Sequence, residues 1–161
     1  MKKILTFILV FSYFISTSSI ASAAGNTYYV IPSGNDSASG TLASPLKTIS
    51  HCLGKLTAGD TCSLRAGTYT ESVSLSKKGT ASTPITLTTY NNELAVIDGE
   101  GVRPTFTLPG AEHIILSCFV LARSSSYALY SDGSKNITVT GVEVDHPLDG
   151  GLIFRNGLNI K

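Results

Sequence analysis

The chain has 161 residues, with 12 Lys+Arg against 11 Asp+Glu, 15 Gly, three Cys and no Trp. A balance this close to neutral gives no basic surface for nucleic acid and no polybasic patch for an anionic membrane. The length suits one domain after a leader, not several.

The leader comes first. Lys2 and Lys3 form a positive start, Ile4 to Phe14 is nearly all apolar, and Ala21-Ser22-Ala23 offers an A-x-A cleavage signal. The apolar run is shorter than the about 20 residues needed to span a bilayer. Residues 1–24 are therefore expected to be a signal peptide, which places the rest, 25–161, outside the cytoplasm. Removing Lys2 and Lys3 takes 12 basic residues to 10 against 11 acidic ones. No contact with a membrane is expected once the leader is cleaved.

Tyr28-Tyr29-Val30-Ile31 is a β-rich run ended by Pro32-Ser33-Gly34-Asn35-Asp36. A helix is expected over 44–56. Ser44 stands as its cap and Pro45 in its first turn, and Leu46, Ile49, Leu53 and Leu56 make one apolar stripe. Gly59-Asp60 then turns into Thr61 to Arg65, where alternation points Cys62 and Leu64 inward. Export puts the cysteines in an oxidising compartment. Cys52 borders the helix stripe, so a Cys52–Cys62 disulfide is expected, the alternative being two buried thiols. Cys118, in an apolar run, is expected to be buried and inert. No His or Cys accompanies the pair at zinc spacing.

Short β segments follow at Ser72 to Ser76, Ile85 to Tyr90 and Ala95 to Ile97, with turn chemistry between them. From residue 113 onward a 23-residue shift superimposes like on like. Ile114 falls on Ile137, Leu116 on Val139, Phe119 on Val142, Leu121 on Val144 and Leu129 on Leu152. The same shift carries Asn136-Ile137 onto Asn159-Ile160. Repeats this short, with two or three strands each, fit a right-handed parallel β-helix whose coils stack at about 4.8 Å. A leucine-rich repeat would need its leucine-asparagine consensus, and a β-sandwich would not need a fixed offset. The expected fold is thus all-β, a parallel β-helix with a short capping helix at its N-terminal end and regular coils over 113–161. Nothing comparable closes the other end, so the chain is expected to be cut short at its C-terminal end, either a fragment of a longer stack or the product of a truncated gene.

The motifs resemble those that open secreted pectin-lyase-like β-helix proteins. The family-nine pectate lyases and the chondroitinase B and alginate lyase group share this start. The resemblance rests on the Tyr28-Tyr29-Val30 strand, Ser33-Gly34-Asn35-Asp36, Gly40-Thr41, Lys47-Thr48-Ile49, Gly59-Asp60-Thr61, Gly67-Thr68-Tyr69, Gly79-Thr80, Pro84-Ile85-Thr86 and Ile97-Asp98-Gly99. It implies a secreted polysaccharide lyase acting by β-elimination on an acidic polysaccharide, a monomer at full length. In such lyases Ca²⁺ or an Arg neutralises the uronate carboxylate, and a Lys or Arg takes the C5 proton. No position here matches the calcium aspartates or the catalytic lysine of those lyases. No catalytic or metal residue is therefore assigned, no cofactor is expected in this chain, and the chain alone is expected not to turn over substrate. Ca²⁺ belongs to the full-length lyase.

Asp145, Asp149 and Arg155 are the substrate-binding candidates. The first two flank Pro147 and could start a cation site or line a sugar groove, although Asp before Gly is also turn chemistry. Under the 23-residue shift Arg155 stacks on Asp132, a pair that could grip a carboxylate or form an exposed ion pair. His51 and His113 are expected to be structural. Two further readings stand beside the lyase: a non-catalytic glycan-binding or adhesin-type β-helix, and an inactive remnant.

Overall fold

In the computed structural model, which describes residues 25–161, the chain winds through successive coils of three short strands each. An opening strand, β1 (Thr27–Val30), precedes helix α1 (Ile49–Lys55). The first coil holds β2 (Thr61–Leu64), β3 (Gly67–Tyr69) and β4 (Val73–Ser74). The second holds β5 (Ile85–Thr89), β6 (Ala95–Asp98) and β7 (Phe106–Pro109). The third holds β8 (Glu112–Ser117), β9 (Val120–Ala122) and β10 (Tyr127–Asp132). The fourth holds β11 (Lys135–Thr140), β12 (Glu143–Asp145) and β13 (Gly150–Arg155), and β14 (Leu158–Ile160) begins a fifth.

Corresponding strands pair in parallel and build three sheets, in the orders β1-β2-β5-β8-β11-β14, β3-β6-β9-β12 and β4-β7-β10-β13. The result is a right-handed parallel β-helix with three faces. Its register is the one the repeat predicts: Ile137 pairs with Ile114 and Ile160, Val139 with Leu116, Val144 with Leu121, and Leu152 with Leu129. Inward residues stack into a continuous core in which Leu64, Ile85, Leu87, Ile97, Phe106, Ile114 and Leu129 are wholly buried. The Phe106 and Phe119 rings lie 6.1 Å apart within it.

The helix differs from the sequence expectation of 44–56. It begins at Ile49, with Thr48 as its N-cap. Residues 44–47 are not helical: the Leu46 amide donates to Tyr29 O at 2.9 Å and Leu46 O accepts from Ile31 N, a parallel bridge beside β1. Two carboxylates from distant loops decide the start. Asp36 accepts from the amides of Lys47 and Thr48, both at 2.9 Å, and Glu71 accepts from the amides of Ile49 (2.8 Å) and Ser50 (3.0 Å). Anions at the first turn satisfy orphan amides and complement the helix dipole. The apolar stripe is buried as expected, Leu46 included, and α1 packs on β1, β2 and β4 at the first coil.

Cys52 and Cys62 are disulfide-bonded, their Cα atoms 6.2 Å apart, tying α1 to β2. Closing so short a loop is worth about 2–3 kcal/mol. Cys118 corrects a second expectation, for it is exposed. It sits at φ 67° on the corner between β8 and β9, where strand alternation no longer applies and the side chain turns outward. The expected signal peptide, 1–24, lies outside the described residues. At the opposite end Leu152 is 41% and Leu158 59% exposed, whereas Leu129 one coil below Leu152 is fully buried.

Candidate functional site

The corner between the second and third faces carries the densest charge. Asp98, Ala122 and Asp145 end β6, β9 and β12 on one column of rungs. The chain then leaves the sheet through Glu100, Arg123 and His146, all with φ between 45° and 54°. Left-handed backbone at non-glycine residues throws these side chains off the sheet.

Arg123 reaches back to Asp98. Its Nε donates to Asp98 Oδ1 at 3.0 Å and its Nη2 to Oδ2, a two-pronged contact. The Glu100 amide adds a third bond to Oδ1 at 2.8 Å. The Arg123 hydrogen bonds hold the Asp98 carboxyl below the usual carboxylate range, against the opposing effect of burial. Arg103 in turn pairs with Glu100 at 2.6 Å. Asp145 touches its neighbour His146, and both are well exposed.

The expected binding residues do not converge. Asp145 ends β12 and Asp149 directly precedes β13, both in water, whereas Arg155 closes β13 six residues beyond Asp149. At about 3.3 Å per residue that separation is about 20 Å. Arg155 does share a rung with Asp132. No ion pair forms there among the described residues. Asp132 accepts from Asn156 Nδ2 at 2.8 Å, and the Arg155 guanidinium carbon lies 5.9 Å from the Tyr130 ring centre. Tyr127 and Tyr130 were absent from the sequence reading, and their near-parallel rings share that outer face. The signal for them was available in the same 23-residue shift, which places Ile153 on Tyr130 and Gly150 on Tyr127.

The described coils do not offer a hard divalent cation what it needs. Such an ion takes six to eight oxygens at about 2.3–2.6 Å. Asp98 is spent on Arg123, and Asp145 lies two rungs away, about 9.6 Å along the column. Among the described residues no group of three His, Cys, Asp or Glu side chains is placed to hold a metal.

His113, Asn136 and Asn159 form a ladder on the first face, a side-chain column at a 23-residue offset. It borders a groove of about 530 Å³ lined also by Thr80, Pro84, Thr138 and Lys161. His113 is the first step of this side-chain stack.

Residues 28–161 match the family described as "Pel9A-like, right handed beta helix region". The chain belongs to the Pel9A-like β-helix family. A pectate lyase, PEL9, of Emericella nidulans is 46% identical over 74 residues, covering 45% of this chain and 18% of that protein. Among solved structures, a rhamnogalacturonan lyase superposes with a TM-score of 0.69 at 21% identity, over 83% of this chain and 40% of that one. A GH136 lacto-N-biosidase from Eubacterium ramulus gives 0.66 at 16% identity, over 83% of this chain and 30% of that one. Both structural likenesses speak to the fold alone. The chain spans about a fifth of the length of the curated relatives it matches. It is a polysaccharide lyase-like β-helix.

Proposed function

We propose that these residues form the capped base and first coils of a secreted lyase acting on an acidic, uronate-containing polysaccharide. The observation that carries the reading is the 46% identity to a pectate lyase within a family match running over 28–161. The Cys52–Cys62 disulfide supports export. In β-elimination the C5–H proton goes to a base, the C4–O bond breaks with the leaving oxygen taking the electron pair, and an unsaturated uronate remains. Neither a free base nor a cation cage is assigned to the described coils, so in this reading they hold and orient the polymer. The Ca²⁺ expected of such a lyase would be held by other coils.

The second reading, a non-catalytic glycan-binding β-helix, is favoured by one observation. The outward chemistry of the late coils is aromatic and hydrogen-bonding, while Arg123 at the corner is spent on Asp98.

Calorimetric titration of the chain with polygalacturonate, run beside unsaturated-uronate absorbance with and without Ca²⁺, tests the proposal. Saturable, salt-sensitive binding without rising absorbance is the expected result. Absence of binding to any polyuronate would overturn it, and clear turnover would show that the chemistry lies within these coils.

A further inference from the structure

The outer face of β7, β10 and β13 carries a pair of tyrosines. Along it Thr107, Tyr130 and Ile153 occupy successive rungs. Tyr127 stands at the start of β10, where Gly150 occupies the next rung, and a Cβ at Gly150 would meet the Tyr127 ring at 3.0 Å. The missing side chain is what lets that ring spread over the neighbouring coil. The Tyr127 and Tyr130 rings are within 21° of parallel with centres 6.3 Å apart, and both are half-buried. They make a stacked aromatic pair that stays partly exposed to solvent.

The Arg155 guanidinium lies over the Tyr130 ring, its carbon 5.9 Å from the centre, and the residue is exposed. The chain has four arginines. Three are committed to carboxylates: Arg65 to Glu93, Arg103 to Glu100 and Arg123 to Asp98. Among the described residues Arg155 alone has no carboxylate partner, although Asp132 shares its rung, because Asp132 is turned to Asn156 Nδ2.

We infer that Tyr127, Tyr130 and Arg155 form a subsite for one uronate unit of a polysaccharide. A pyranose presents a face of axial C–H bonds that carries partial positive charge, complementary to the negative face of a tyrosine ring. The guanidinium fork matches a carboxylate in two parallel hydrogen bonds. Stacked rings select a pyranose, and the cation selects the acid over its neutral form. Asp132 and Asn156 lie next to Arg155 as acceptor and donor for ring hydroxyls. The rings hold few rotatable bonds, so little freedom is lost on binding. This subsite rests on the polyuronate reading above and names where on the coils the polymer lies.

The test is titration of the full chain with short oligogalacturonides and with their methyl-esterified counterparts, followed by calorimetry and by NMR of the tyrosine ring resonances. The unsubstituted chain is expected to bind the acid form better, shifting the ring signals of Tyr127 and Tyr130. Tyr130→Ala is expected to weaken both ligands by about tenfold or more. Arg155→Gln, at a charge-assisted bond, is expected to weaken the acid form by about tenfold and leave the ester unchanged. If galacturonides bind while these variants bind as tightly as the parent and the ring signals stay still, the subsite is wrong and the polyuronate reading survives. If the parent binds neither ligand, both fall. The ring shifts are read on the unsubstituted chain, so a variant that fails to fold does not decide the matter.

Discussion

Asn159 Nδ2 donates to Asn136 Oδ1 at 2.8 Å across one coil, and both residues hold φ at 55°. Asn136 Nδ2 lies 3.2 Å from His113 Nε2 one coil below, where φ is 52°. Asparagine serves here twice, tolerating the left-handed corner and linking the coils. Asn136→Gly keeps the backbone free to adopt the corner and loses only the side-chain bonds, and it should cost about 1 kcal/mol. Asn136→Ala adds left-handed strain of about 1–2 kcal/mol. Urea unfolding of the two variants should therefore rank Ala below Gly. Equal midpoints would show that the corner conformation carries no cost.

The Asp98–Arg123 contact sets an acid limit. Asp98 is nearly buried and its carboxyl is held low chiefly by Arg123. A carboxylate with a lowered folded pKa stabilises fully above its unfolded value of about 3.9, and that contribution fades as pH falls through the lower, folded value. Thermal melts should then be flat from neutral pH down to about pH 4 as far as this group is concerned, and fall below it. Asp98→Asn should lower the melting temperature at neutral pH and flatten the acid decline. An unchanged acid slope in Asp98→Asn would remove Asp98 from the account.

Glu71 reaches 22 residues back along the chain to cap α1, accepting from Ile49 N at 2.8 Å. Glu71→Ala should cost about 1 kcal/mol, the usual scale for a lost cap, while Ser44→Ala should change stability little because Ser44 lies outside the helix. Circular dichroism melts of the two variants measure this. A larger loss from Ser44→Ala would restore the longer helix.

The same helix shows what was legible in the sequence. Its apolar stripe, its disulfide partner and its position at the first coil all follow from local spacing. Its start does not, because Asp36 and Glu71 come from loops whose approach only the fold determines. The repeat was readable from residue 113 because those coils keep one offset. Earlier coils were not, since Cys62 pairs with Leu87 and Leu87 with Leu116, offsets of 25 and 29. β7 does keep the 23-residue offset, Phe106 falling below Leu129 and Thr107 below Tyr130, so its signal lay in the sequence one coil before residue 113. Cys118 was misjudged because an apolar run hides a corner. At the candidate site, column sharing was legible and side-chain direction was not: Asp132 and Arg155 do share a rung, yet each turns to a different neighbour.

The faces and columns of this fold depend on which residues sit side by side in adjacent coils. The most direct measurement is disulfide capture in a Cys118→Ser background. Ile115 and Thr138 share a rung, and strands about 4.8 Å apart bring their Cα atoms within disulfide range. Ile115→Cys with Thr138→Cys should cross-link on mild oxidation, seen as a loss of two hydrogens by mass, while Ile115→Cys with Thr140→Cys should stay reduced. Cross-linking of the offset pair, or of neither, would contradict the coil registry.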